Sequence, residues 1–375
     1  MAFATALLTA VVFPLNVRAT PRLSASRSGP DRWPRVSIVV PARNEERGIG
    51  DAVDSQLRQD YPDFEVVVVD DRSSDATRRI LDARRDRRLR LVAGGEPPPG
   101  WLGKPYALDQ GARTADGEVL LFVDADVRYE PATLRDAIRL LERERLDLLA
   151  LFPRFELVGF WESVLMPYIP ISYYFGLGFL ANSDAFRWLA AGGGAGNLVR
   201  RSAYEAVGGH AEIRESVIDD VRLAMRIKRA GFRCRMADAG DRVRVRMYRG
   251  LREIVDGFSK NASYAFEGWF GLVFFVGTVL SLIASWAPPA AFAFVAMGAR
   301  LAAADVVLAA LTFGLTVALR AALARRQGWP LWPAWTHPLM SAVWLGIIAR
   351  SFYWRVVLRE VRWRGRRYDS AGARF

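Results

Sequence analysis

The amino-acid sequence predicts an α/β domain with a parallel sheet, followed by helices that are long and apolar enough to cross a membrane. From Val36 onward, short apolar strands alternate with amphipathic helical stretches, which is the pattern of βαβ units. Acidic residues directly follow several of these strands, at the ends where α/β sheets bind their ligands. Residues 30–265 mix charged and apolar residues as a soluble domain does, whereas both ends of the chain carry long uncharged runs.

Composition and charge narrow the classes of partner. The 375 residues carry a formal net charge of +12, and nearly all of the positive charge comes from arginine. These arginines border the apolar runs, which is typical of the cytoplasmic face of a membrane protein. Because no nucleic-acid recognition motif accompanies them, we expect a lipid bilayer as a partner and no nucleic acid. The single cysteine, Cys234, excludes a disulfide framework and a cysteine zinc site.

The N-terminal segment 1–17 is predicted to be a membrane anchor. It is mostly apolar and carries no charged side chain, and Arg18, Arg22 and Arg27 follow it. This distribution of charge places the chain from residue 18 onward in the cytoplasm and favours an anchor over a cleaved leader. Residues 18–34, rich in proline, serine and arginine, are predicted to be a linker.

Four strands and three helices are predicted between residues 36 and 127. The strands are placed at 36–40, 64–69, 88–92 and 119–127, and the helices at 44–59, 73–85 and 104–112. Strands joined in this way by helices form a nucleotide-binding type of sheet. No Gly-x-Gly-x-x-Gly follows the first strand and no Walker lysine loop is present, so neither a dinucleotide fold nor a P-loop ATPase is supported.

Two carboxylates one residue apart, Asp124 and Asp126, end the apolar strand at 119–127. At the carboxyl end of a parallel strand, such a pair offers hard oxygen ligands to a divalent cation. The alternative is a polar turn after a strand, which also produces Asp-x-Asp. The flanking motifs favour the metal site.

These motifs resemble those of family 2 glycosyltransferases. They are Val-Ser-Ile-Val-Val-Pro-Ala-Arg-Asn-Glu at 36–45, Val-Val-Asp-Asp-Arg-Ser-Ser-Asp at 68–75, Gly-Lys-Pro-Tyr-Ala-Leu at 103–108 and Val-Asp-Ala-Asp at 123–126. The resemblance implies a GT-A (Rossmann-like) nucleotide-sugar-binding domain, which we place at 35–265. It also implies inverting transfer of a sugar from a nucleotide diphosphate sugar, UDP-glucose or a similar donor.

Within that family, the chain most resembles the membrane-bound transferases of carotenoid and hopanoid pathways, the 4,4'-diaponeurosporenoate glycosyltransferase-like group. The closer resemblance rests on Ile-Asp-Asp-Val-Arg-Leu-Ala at 218–224, Arg-Met-Tyr-Arg-Gly at 246–250, Gly-Phe-Ser-Lys-Asn at 257–261 and Trp-Arg-Gly-Arg-Arg-Tyr at 363–368. It implies an acceptor that is a membrane-embedded, isoprenoid-derived lipid.

The resemblance also implies which residues bind the donor. The nucleoside would be held by Pro41, Glu45, Asp70 and Asp71. Helix N-capping is the alternative role for Glu45 and Asp71. Lys104 would meet a phosphate or the sugar, unless it is simply a solvated lysine.

Arg246 and Arg249 lie where related membrane synthases carry a Gln-x-x-Arg-Trp segment, and guanidinium groups there would clamp the diphosphate. The Gln and the Trp are missing, which counts against a processive polysaccharide synthase and favours transfer of a single sugar.

The same resemblance assigns the metal and the base. Asp124 and Asp126 would hold Mg²⁺ or Mn²⁺, with Asp126 as the direct ligand. Asp219 and Asp220 begin a predicted helix, and Asp220 takes the position of the family's general base. Most family members carry Glu-Asp here, so Asp219 has a shorter reach than the usual first acid. The alternative for the pair is a favourable interaction with the helix dipole.

Three further features lie near these motifs in the sequence. Gly194, Gly196 and Asn197 are predicted to form an acceptor-side loop, because glycines permit close backbone approach. His210 either touches the acceptor or makes structural hydrogen bonds. Arg200 and Arg201 keep open a second interpretation, a transferase that acts on a polyprenyl phosphate, because such an acceptor needs cations beside Asp220.

The second half of the chain is predicted to be membrane-associated. Residues 155–182 are apolar and aromatic but are interrupted by acids and prolines, so an interfacial segment with tyrosines at headgroup level is predicted, with buried core as the alternative. Transmembrane helices are placed within 266–358, with spans at 269–286, within 290–319 and at 338–357. The basic tail 359–375 is expected in the cytoplasm. That location requires an even number of spans, so a helical hairpin is predicted within 287–320.

The sequence therefore predicts a multi-pass plasma-membrane hexosyltransferase with a cytoplasmic catalytic domain. The alternative from a different class is a membrane scaffold that binds a nucleotide sugar without turnover. The presence of both the metal pair and Asp220 argues against that alternative.

Overall fold

The computed structural model describes residues 1–24, 30–266, 268–363 and 366–369. The chain divides into two units. We call Thr20–Glu156 with Phe179–Met247 the sheet unit, to which Arg362–Phe375 is also assigned. We call Met1–Ala19, Leu157–Gly178 and Tyr248–Val361 the helical unit. The predicted catalytic range 35–265 therefore extends over parts of both units.

The strands are β1 Val36–Ala42, β2 Phe64–Asp70, β3 Leu89–Ala93, β4 Val119–Phe122, β5 Val127–Tyr129, β6 Leu148–Phe152, β7 Arg154–Phe155, β8 Asn197–Arg200, β9 Cys234–Asp238, β10 Val243–Val245, β11 Glu360–Trp363 and β12 Arg366–Asp369. The helices are α1 Ala2–Ala19, α2 Ile49–Leu57, α3 Thr77–Asp82, α4 Gly103–Thr114, α5 Thr133–Arg143, α6 Phe160–Leu165, α7 Tyr168–Tyr174, α8 Gly178–Ala181, α9 Arg201–Ala206, α10 Asp219–Arg229, α11 Gly250–Ser259, α12 Gly268–Ala296, α13 Ala303–Gln327 and α14 His337–Phe352.

The main sheet has seven strands in the order β3-β2-β1-β4-β8-β6-β9. All neighbouring pairs are parallel except those of β8, which runs antiparallel to both β4 and β6. The predicted parallel sheet is therefore confirmed apart from one strand. The central strands are buried along their length, as expected for apolar runs covered on both faces.

A smaller sheet orders its strands β5-β10-β7. Here β10 pairs antiparallel with β5 and parallel with β7. The predicted strand 119–127 is divided between the two sheets, because β4 ends at Phe122 and β5 begins at Val127. The four residues between them leave the main sheet and carry both acids of the Asp-x-Asp motif.

The helix predicted at 44–59 begins only at Ile49. Residues 44–48 instead form a turn in which Asn44 has a left-handed φ of 53°. This turn is bonded to the loop after β2: the Asn44 N–H donates to Ser73 Oγ at 3.0 Å and the Glu45 N–H to Thr77 Oγ1 at 2.7 Å. Gly48 and Ala76 hold the cap positions of α2 and α3, so the N-capping alternative for Glu45 and Asp71 is wrong.

Part of the predicted linker pairs with the sheet. The Leu23 N–H donates to the Asp238 carbonyl and the Asp238 N–H to the Pro21 carbonyl, both at 2.8 Å. The backbone groups of Pro21 and Leu23 therefore supply hydrogen-bond partners to Asp238 on the outer side of β9, which is an edge strand.

Lys228 is a buried cation on α10 that holds a loop in place. Its side chain is 1% exposed, and its ammonium group donates to the carbonyls of Leu189 (2.8 Å), Leu180 (3.4 Å) and Ala181. Burial lowers the pKa of Lys228 to about 8, so at neutral pH the group keeps three protons for three carbonyls. The segment that precedes the glycine-rich stretch 192–196 is thereby tied to α10.

We expect Lys228→Met to lower the thermal unfolding midpoint by about 4–8 °C, because it leaves buried carbonyls without a donor at a net cost of about 2 kcal/mol. Differential scanning calorimetry of the detergent-solubilised chain measures this midpoint. Arg229→Met, which removes an exposed cation from the same helix, is the matched control. An unchanged midpoint for Lys228→Met would show that the loop is held by other contacts.

Three helices, Ala2–Ala19, Phe274–Ala296 within α12 and Ala303–Gln327, have the length and apolar composition needed to cross a membrane. Large apolar side chains such as Leu8, Phe275 and Leu311 are exposed on them. The predicted end of a helix at 286 is wrong, because α12 continues through Pro288 and Pro289 to Ala296. A proline removes an intrahelical hydrogen bond, but its φ suits a helix, and membrane helices tolerate it.

A short hairpin contained within 287–320 is not observed, because α12 continues to Ala296 and α13 runs from Ala303 to Gln327; Arg300 lies in the connection between them and Asp305 in the first turn of α13. α14 spans 16 residues and continues into a π-helical turn at Tyr353–Val357. It is not among the three candidate spans found in the described residues. The predicted basic tail lies partly outside the described residues, since 364–365 and 370–375 are not described.

The segment predicted to be interfacial forms α6, α7 and α8. Within the helical unit, the Asn16 side chain of α1 donates to the carbonyls of Tyr174 (2.6 Å) and Gly176 (2.9 Å). The Trp344 indole of α14 donates to the Leu165 carbonyl at 3.1 Å. Tyr174 is fully buried, so the expectation that the tyrosines lie at headgroup level is wrong for this one. It packs against the aromatic ring of Phe13 instead.

Candidate active site

The carboxyl ends of β1, β2 and β4 meet at one edge of the main sheet. Ala42 is paired with Asp70, and Val39 with Phe122, the last residue of β4. Parallel register thus brings the polar residues that follow these three strands to one edge, as the sequence predicted.

Lys104 joins two of the predicted acids. It lies in the first turn of α4, with its ammonium 2.8 Å from Asp124 Oδ1 and 3.3 Å from Asp219 Oδ1. Burial alone would lower the pKa of Lys104, but the carboxylates of Asp124, Asp219 and Asp220 hold it well above its ordinary value. Lys104 is therefore a fixed positive charge at the sheet edge, not the solvated lysine of the alternative interpretation.

The two acids at the start of α10 differ in their surroundings. Asp219 is 4% exposed, and its burial raises the pKa of its carboxyl group to about 6. The negative charges of Asp220 and Asp124 raise this pKa further, whereas the Lys104 ammonium opposes the shift. Asp220 is only half-buried and accepts the Val221 N–H at 2.8 Å. The predicted helix start is confirmed, and the arrangement turns Asp219 toward Lys104 while Asp220 remains accessible to a substrate.

A glycine-rich loop at 192–196 connects Asp124 with Asp220. The Asp124 N–H donates to the Gly194 carbonyl at 2.8 Å. The Asn197 side chain donates to the Asp220 carbonyl at 3.0 Å and accepts the Gly193 N–H at 3.3 Å. A Cβ on Gly192 would lie 2.3 Å from the Asp220 carbonyl oxygen. The loop thus includes a close backbone approach at Gly192, and the acceptor-side role of Gly194, Gly196 and Asn197 stays a prediction.

If this site carries out the sugar transfer that the sequence resemblance implies, we expect Gly194→Ala to lower kcat/KM by about a hundredfold, while leaving the unfolding midpoint nearly unchanged. A Cβ on Gly194 would lie 2.1 Å from Asp124 Oδ2, so the carboxylate must turn away from Lys104, and displacements of this size have such effects on rate. Gly193→Ala is the matched control, because a Cβ there meets nothing within 4 Å. Equal rates for the two variants would show that the position of Asp124 does not limit the reaction.

Asp126 lies between the two sheets. Gly48 packs beside it, with an ideal Cβ position 3.7 Å from Asp126 Cα. β10 ends with Val245 paired to Val127 in antiparallel register, so Arg246, the residue after β10, and Asp126, the residue before β5, follow directly on a paired position. The role of Arg246 in binding the diphosphate stays a prediction.

Arg249 belongs to the helical unit, where it precedes α11 and its N–H donates to Glu253 Oε2 at 2.9 Å. Its role in clamping the diphosphate stays a prediction.

Of the predicted nucleoside residues, Pro41 and Asp70 lie at the ends of β1 and β2, and Glu45 and Asp71 lie in the two bonded loops that follow. The Arg43 guanidinium donates to the Asp71 carbonyl at 2.6 Å, and Arg72 Nε lies 3.6 Å from Asp71 Oδ1. The Asp70 carboxylate accepts the Ser73 N–H at 3.1 Å. Arg43 and Arg72 were not predicted to belong to the site, although they lie within the motifs at 36–45 and 68–75. The position of Arg72 directly after Asp71 in the sequence could have identified it.

His210 is a structural residue. It is 1% exposed, and burial together with the Lys104 charge lowers its pKa to about 3, so the imidazole is neutral. Its Nδ1 lies 2.9 Å from the Tyr204 hydroxyl, which also accepts the His210 N–H at 3.1 Å. The ring packs against Phe122, with centroids 4.7 Å apart. Of the two interpretations of His210, the structural hydrogen bonds are the one observed.

The expectation that Arg200 and Arg201 lie beside Asp220 is wrong. β8 runs antiparallel to β4, so Asn197 is paired with Phe122 near the site while Arg200 is paired with Val119 at the opposite edge. There Arg200 donates to the Leu146 carbonyl at 2.9 Å, and Arg201 donates to the carbonyls of Gly117 and Ala115, both at 2.7 Å. The polyprenyl-phosphate interpretation loses the cations on which it rested.

The residues fit a divalent cation that shares its ligands with a substrate. No group of three or more His, Cys, Asp or Glu residues with metal-binding geometry occurs in the described part of the chain. Mg²⁺-type sites commonly use one or two carboxylates, substrate phosphates and water instead of a complete protein cage. Asp124 already has Lys104 on one oxygen, so Asp126 is the acid whose chemistry suits direct coordination.

Residues 37–208 match the family described as Glycosyl transferase family 2. A curated relative is the poly(ribitol-phosphate) beta-N-acetylglucosaminyltransferase TarS of Staphylococcus aureus, 37% identical over 117 residues, which cover 31% of this chain and 20% of TarS. Another is the 4,4'-diaponeurosporenoate glycosyltransferase of Staphylococcus haemolyticus, 25% identical over 235 residues, covering 60% of each chain. The chain thus spans less than two thirds of the length of these relatives.

A solved structure with a similar fold is the mannosyltransferase of Pyrobaculum calidifontis in complex with GDP-Man and Mn²⁺. It is 23% identical in sequence, with a TM-score of 0.56, and the match covers 96% of this chain and 100% of that one. This similarity confirms the predicted GT-A type of fold.

Proposed function

From the match of residues 37–208 to the glycosyl transferase family 2 model, we propose that the chain transfers one sugar, with inversion, from a nucleotide diphosphate sugar to a membrane lipid. The observation that carries the proposal is the Lys104 ammonium, held 2.8 Å from Asp124 and 3.3 Å from Asp219. It brings the predicted metal-binding motif and the predicted base motif into one cluster.

The donor is proposed to lie along the carboxyl edge of β1, β2 and β4. Asp70 and Asp71 would accept hydrogen bonds from the nucleoside, with Pro41 and Glu45 beside them. Lys104 and Arg246 would compensate the negative charge of the diphosphate. Because the Lys104 ammonium is already held by Asp124 and Asp219, it would not have to move when the diphosphate binds. Arg249 completes the proposed set.

Asp126 and Asp124 would hold the Mg²⁺ or Mn²⁺ ion. When bound, that ion supplies Lewis-acid stabilisation of the departing diphosphate. Asp124 would also set the position of the diphosphate relative to α10. Its N–H is bonded to Gly194 of the glycine-rich loop, and Asn197, which follows that loop, is bonded to Asp220 at the start of α10.

Asp220 is proposed to be the general base. The acceptor oxygen forms a bond to the anomeric carbon, the bond from that carbon to the diphosphate oxygen breaks, and the nucleoside diphosphate leaves with the electron pair. Where the acceptor oxygen belongs to a hydroxyl group, its proton passes to Asp220; a carboxylate acceptor is already deprotonated and needs no such transfer. Because attack and departure occur on opposite faces, this single displacement inverts the anomeric configuration.

A lipid acceptor is supported by the helical unit. Three of its helices have the length and composition of membrane spans, so a site on the same chain is held near a bilayer and meets acceptors that cannot leave it. The two relatives act on 4,4'-diaponeurosporenoate and on poly(ribitol-phosphate) by their names. Only the first is an apolar, isoprenoid-derived acceptor, and it is the class we propose, with the catalytic domain on the cytoplasmic side.

The acceptor is tested by incubating the chain, reconstituted in nanodiscs, with a radiolabelled nucleotide sugar, Mn²⁺ and either host lipid extract or poly(ribitol-phosphate). We expect label to enter the organic phase in the first reaction, with an inverted anomeric linkage by nuclear magnetic resonance of the product. Label recovered only on the water-soluble polymer would refute the lipid acceptor while leaving the donor chemistry intact.

A further inference from the structure

The surroundings of α13 change at Arg320. Before this residue, the stretch 306–319 carries no charged side chain, and Thr312 is its one buried residue. The last two turns, from Arg320 to Gln327, hold the other four buried residues of the helix, and the two that bound this stretch are polar. The first part of α13 is therefore left open by the protein, whereas its last two turns are packed within it.

The open part of α13 alone is nearly long enough to cross a bilayer. From Ala303 to Leu319, at about 1.5 Å per residue, the helix is roughly 26 Å long, close to the hydrocarbon thickness of about 30 Å. Asp305, the one charged residue in this range, lies in the first turn, at the opposite end from Arg320. Because polar groups are costly in hydrocarbon, the buried polar residues of the last two turns are better placed outside it.

Two exposed indoles follow α13 in the chain. The 3₁₀ turn Trp332–Thr336 precedes α14, and it buries Pro333 and Ala334. Trp335 is 62% exposed and Trp332 45% exposed. The turn therefore packs its small side chains inward and leaves its two largest apolar groups uncovered.

Ring contacts within the helical unit give the level of these indoles along α13. The Trp335 ring lies 5.8 Å from the ring of Phe313, about two turns inside the open part of the helix. Trp332 stacks on Phe160 of α6, with centroids 5.4 Å apart and planes at 17°. Phe160 and the nearby Val158 are also exposed. We call Val158, Phe160, Trp332 and Trp335 the aromatic patch.

We propose that the aromatic patch inserts into a bilayer at the boundary between hydrocarbon and headgroups, and that this boundary lies level with Arg320. Indoles favour this boundary, because the ring is apolar while its N–H can hydrogen-bond to the wet headgroups. Arg325 and Arg326, in the last turn of α13, would then lie among the headgroups, where cations attract anionic lipids.

A bilayer is the occupant that the position of the patch favours. The patch adjoins a helix with the length and composition of a membrane span, so the lipid that surrounds the open part of α13 would also cover the patch. The proposal rests on the membrane association proposed above and not on the transfer of a sugar.

The test is depth-dependent quenching of a bimane probe on an introduced cysteine, Trp335→Cys. The native Cys234 is buried, and wild-type protein treated with the same reagent gives the background. The full chain is reconstituted in vesicles of phosphatidylcholine and phosphatidylglycerol that carry a nitroxide on the headgroup, near the top of an acyl chain or near its end. Leu311→Cys, at an exposed residue of α13, and Asp63→Cys, at an exposed residue of the sheet unit, are the controls.

We expect the nitroxide near the top of the chain to quench the Trp335→Cys probe at least about twofold more than the nitroxide near the chain end. The Leu311→Cys probe should show the reverse order, because it would lie near the middle of the hydrocarbon. The Asp63→Cys probe should respond only to iodide in the aqueous phase. Trp332→Cys carries the same expectation as Trp335→Cys and replaces it if that variant does not fold.

Three outcomes would overturn the proposal. Strongest quenching of the Trp335→Cys probe by the chain-end nitroxide would place the boundary beyond Arg320. Quenching by iodide and not by lipid would place the patch outside the bilayer. Protection from both would mean that a protein, such as a second copy of this chain, covers the patch.

The Leu311→Cys probe separates these failures from a failure of the membrane association itself. If that probe is quenched by lipid, the membrane association stands whatever the result at the aromatic patch. If it is quenched by iodide alone, the membrane association proposed above is refuted as well.

Discussion

Asp220→Asn is expected to lower kcat for sugar transfer by about a hundredfold to ten-thousandfold, with the dissociation constant of the nucleotide sugar changed by less than about twofold. The amide keeps the size of the carboxylate but cannot take a proton from the acceptor. Donor binding should survive because the Lys104 contacts run to Asp124 and Asp219, not to Asp220.

The two quantities are measured by initial rates under saturating donor and by calorimetric titration of donor with Mn²⁺. Asp63→Asn, an exposed acid of the same unit, is the control and should retain the wild-type rate. If Asp220→Asn transferred sugar at the wild-type rate, the base would have to be another group, and the buried Asp219 would be the next candidate.

Asp126→Ala is expected to remove the stimulation of donor binding by Mn²⁺ and to lower kcat/KM by at least about a hundredfold. A Lewis acid at the leaving diphosphate supplies several kcal/mol of stabilisation, and each 1.4 kcal/mol corresponds to about tenfold in rate. The cluster of Lys104, Asp124 and Asp219 should persist in this variant, because the Lys104 ion pairs run to Asp124 and Asp219.

Titration of donor in the presence and absence of Mn²⁺ measures this effect, and the paramagnetic signal of bound Mn²⁺ reports the metal without reference to activity. Wild-type Mn²⁺ affinity in Asp126→Ala would reassign the metal ligand. Asp63→Asn again serves as the control for a lost surface charge.

The parallel part of the fold was predictable because the buried strands are short, mostly apolar runs separated by helical stretches, and β2 and β4 lead directly into acids. Val36, Phe64 and Val119 begin the three central strands at the predicted residues. Because these strands are parallel, their carboxyl ends lie on the same side of the sheet. The location of Asp70 and Asp124 on that side therefore followed from the sequence pattern alone. The family match and the similar fold confirm the resemblance on which the roles were assigned.

The contact between Lys104 and Asp219 was not predictable, because it depends on how α4 and α10 pack, and sequence spacing carries no information on that packing. Arg200 shows the same limit. Only three residues separate it from Gly196, yet the antiparallel direction of β8 carries it to the opposite end of the strands. The pairing of β10 with β5, which places Val245 opposite Val127, was likewise not contained in the sequence pattern.

Helix ends were misjudged where tertiary contacts compete with local propensity. Glu45 precedes α2 instead of lying within it, because its N–H is taken by Thr77. Pro288 and Pro289 lie inside α12, since proline fits the helical φ and an apolar environment favours continued intrahelical hydrogen bonding.

The measurement that tests the central claim most directly is the initial rate of sugar transfer to lipid by the reconstituted chain, with Mn²⁺ and with a chelator, for wild type, Gly193→Ala and Gly194→Ala. UDP-glucose, UDP-N-acetylglucosamine and GDP-mannose are supplied separately as labelled donors. We predict that at least one donor labels the lipid phase in a metal-dependent reaction, and that Gly193→Ala retains the rate while Gly194→Ala loses about a hundredfold of it. Failure of all three donors to label lipid, or equal rates for the two glycine variants, would contradict the account.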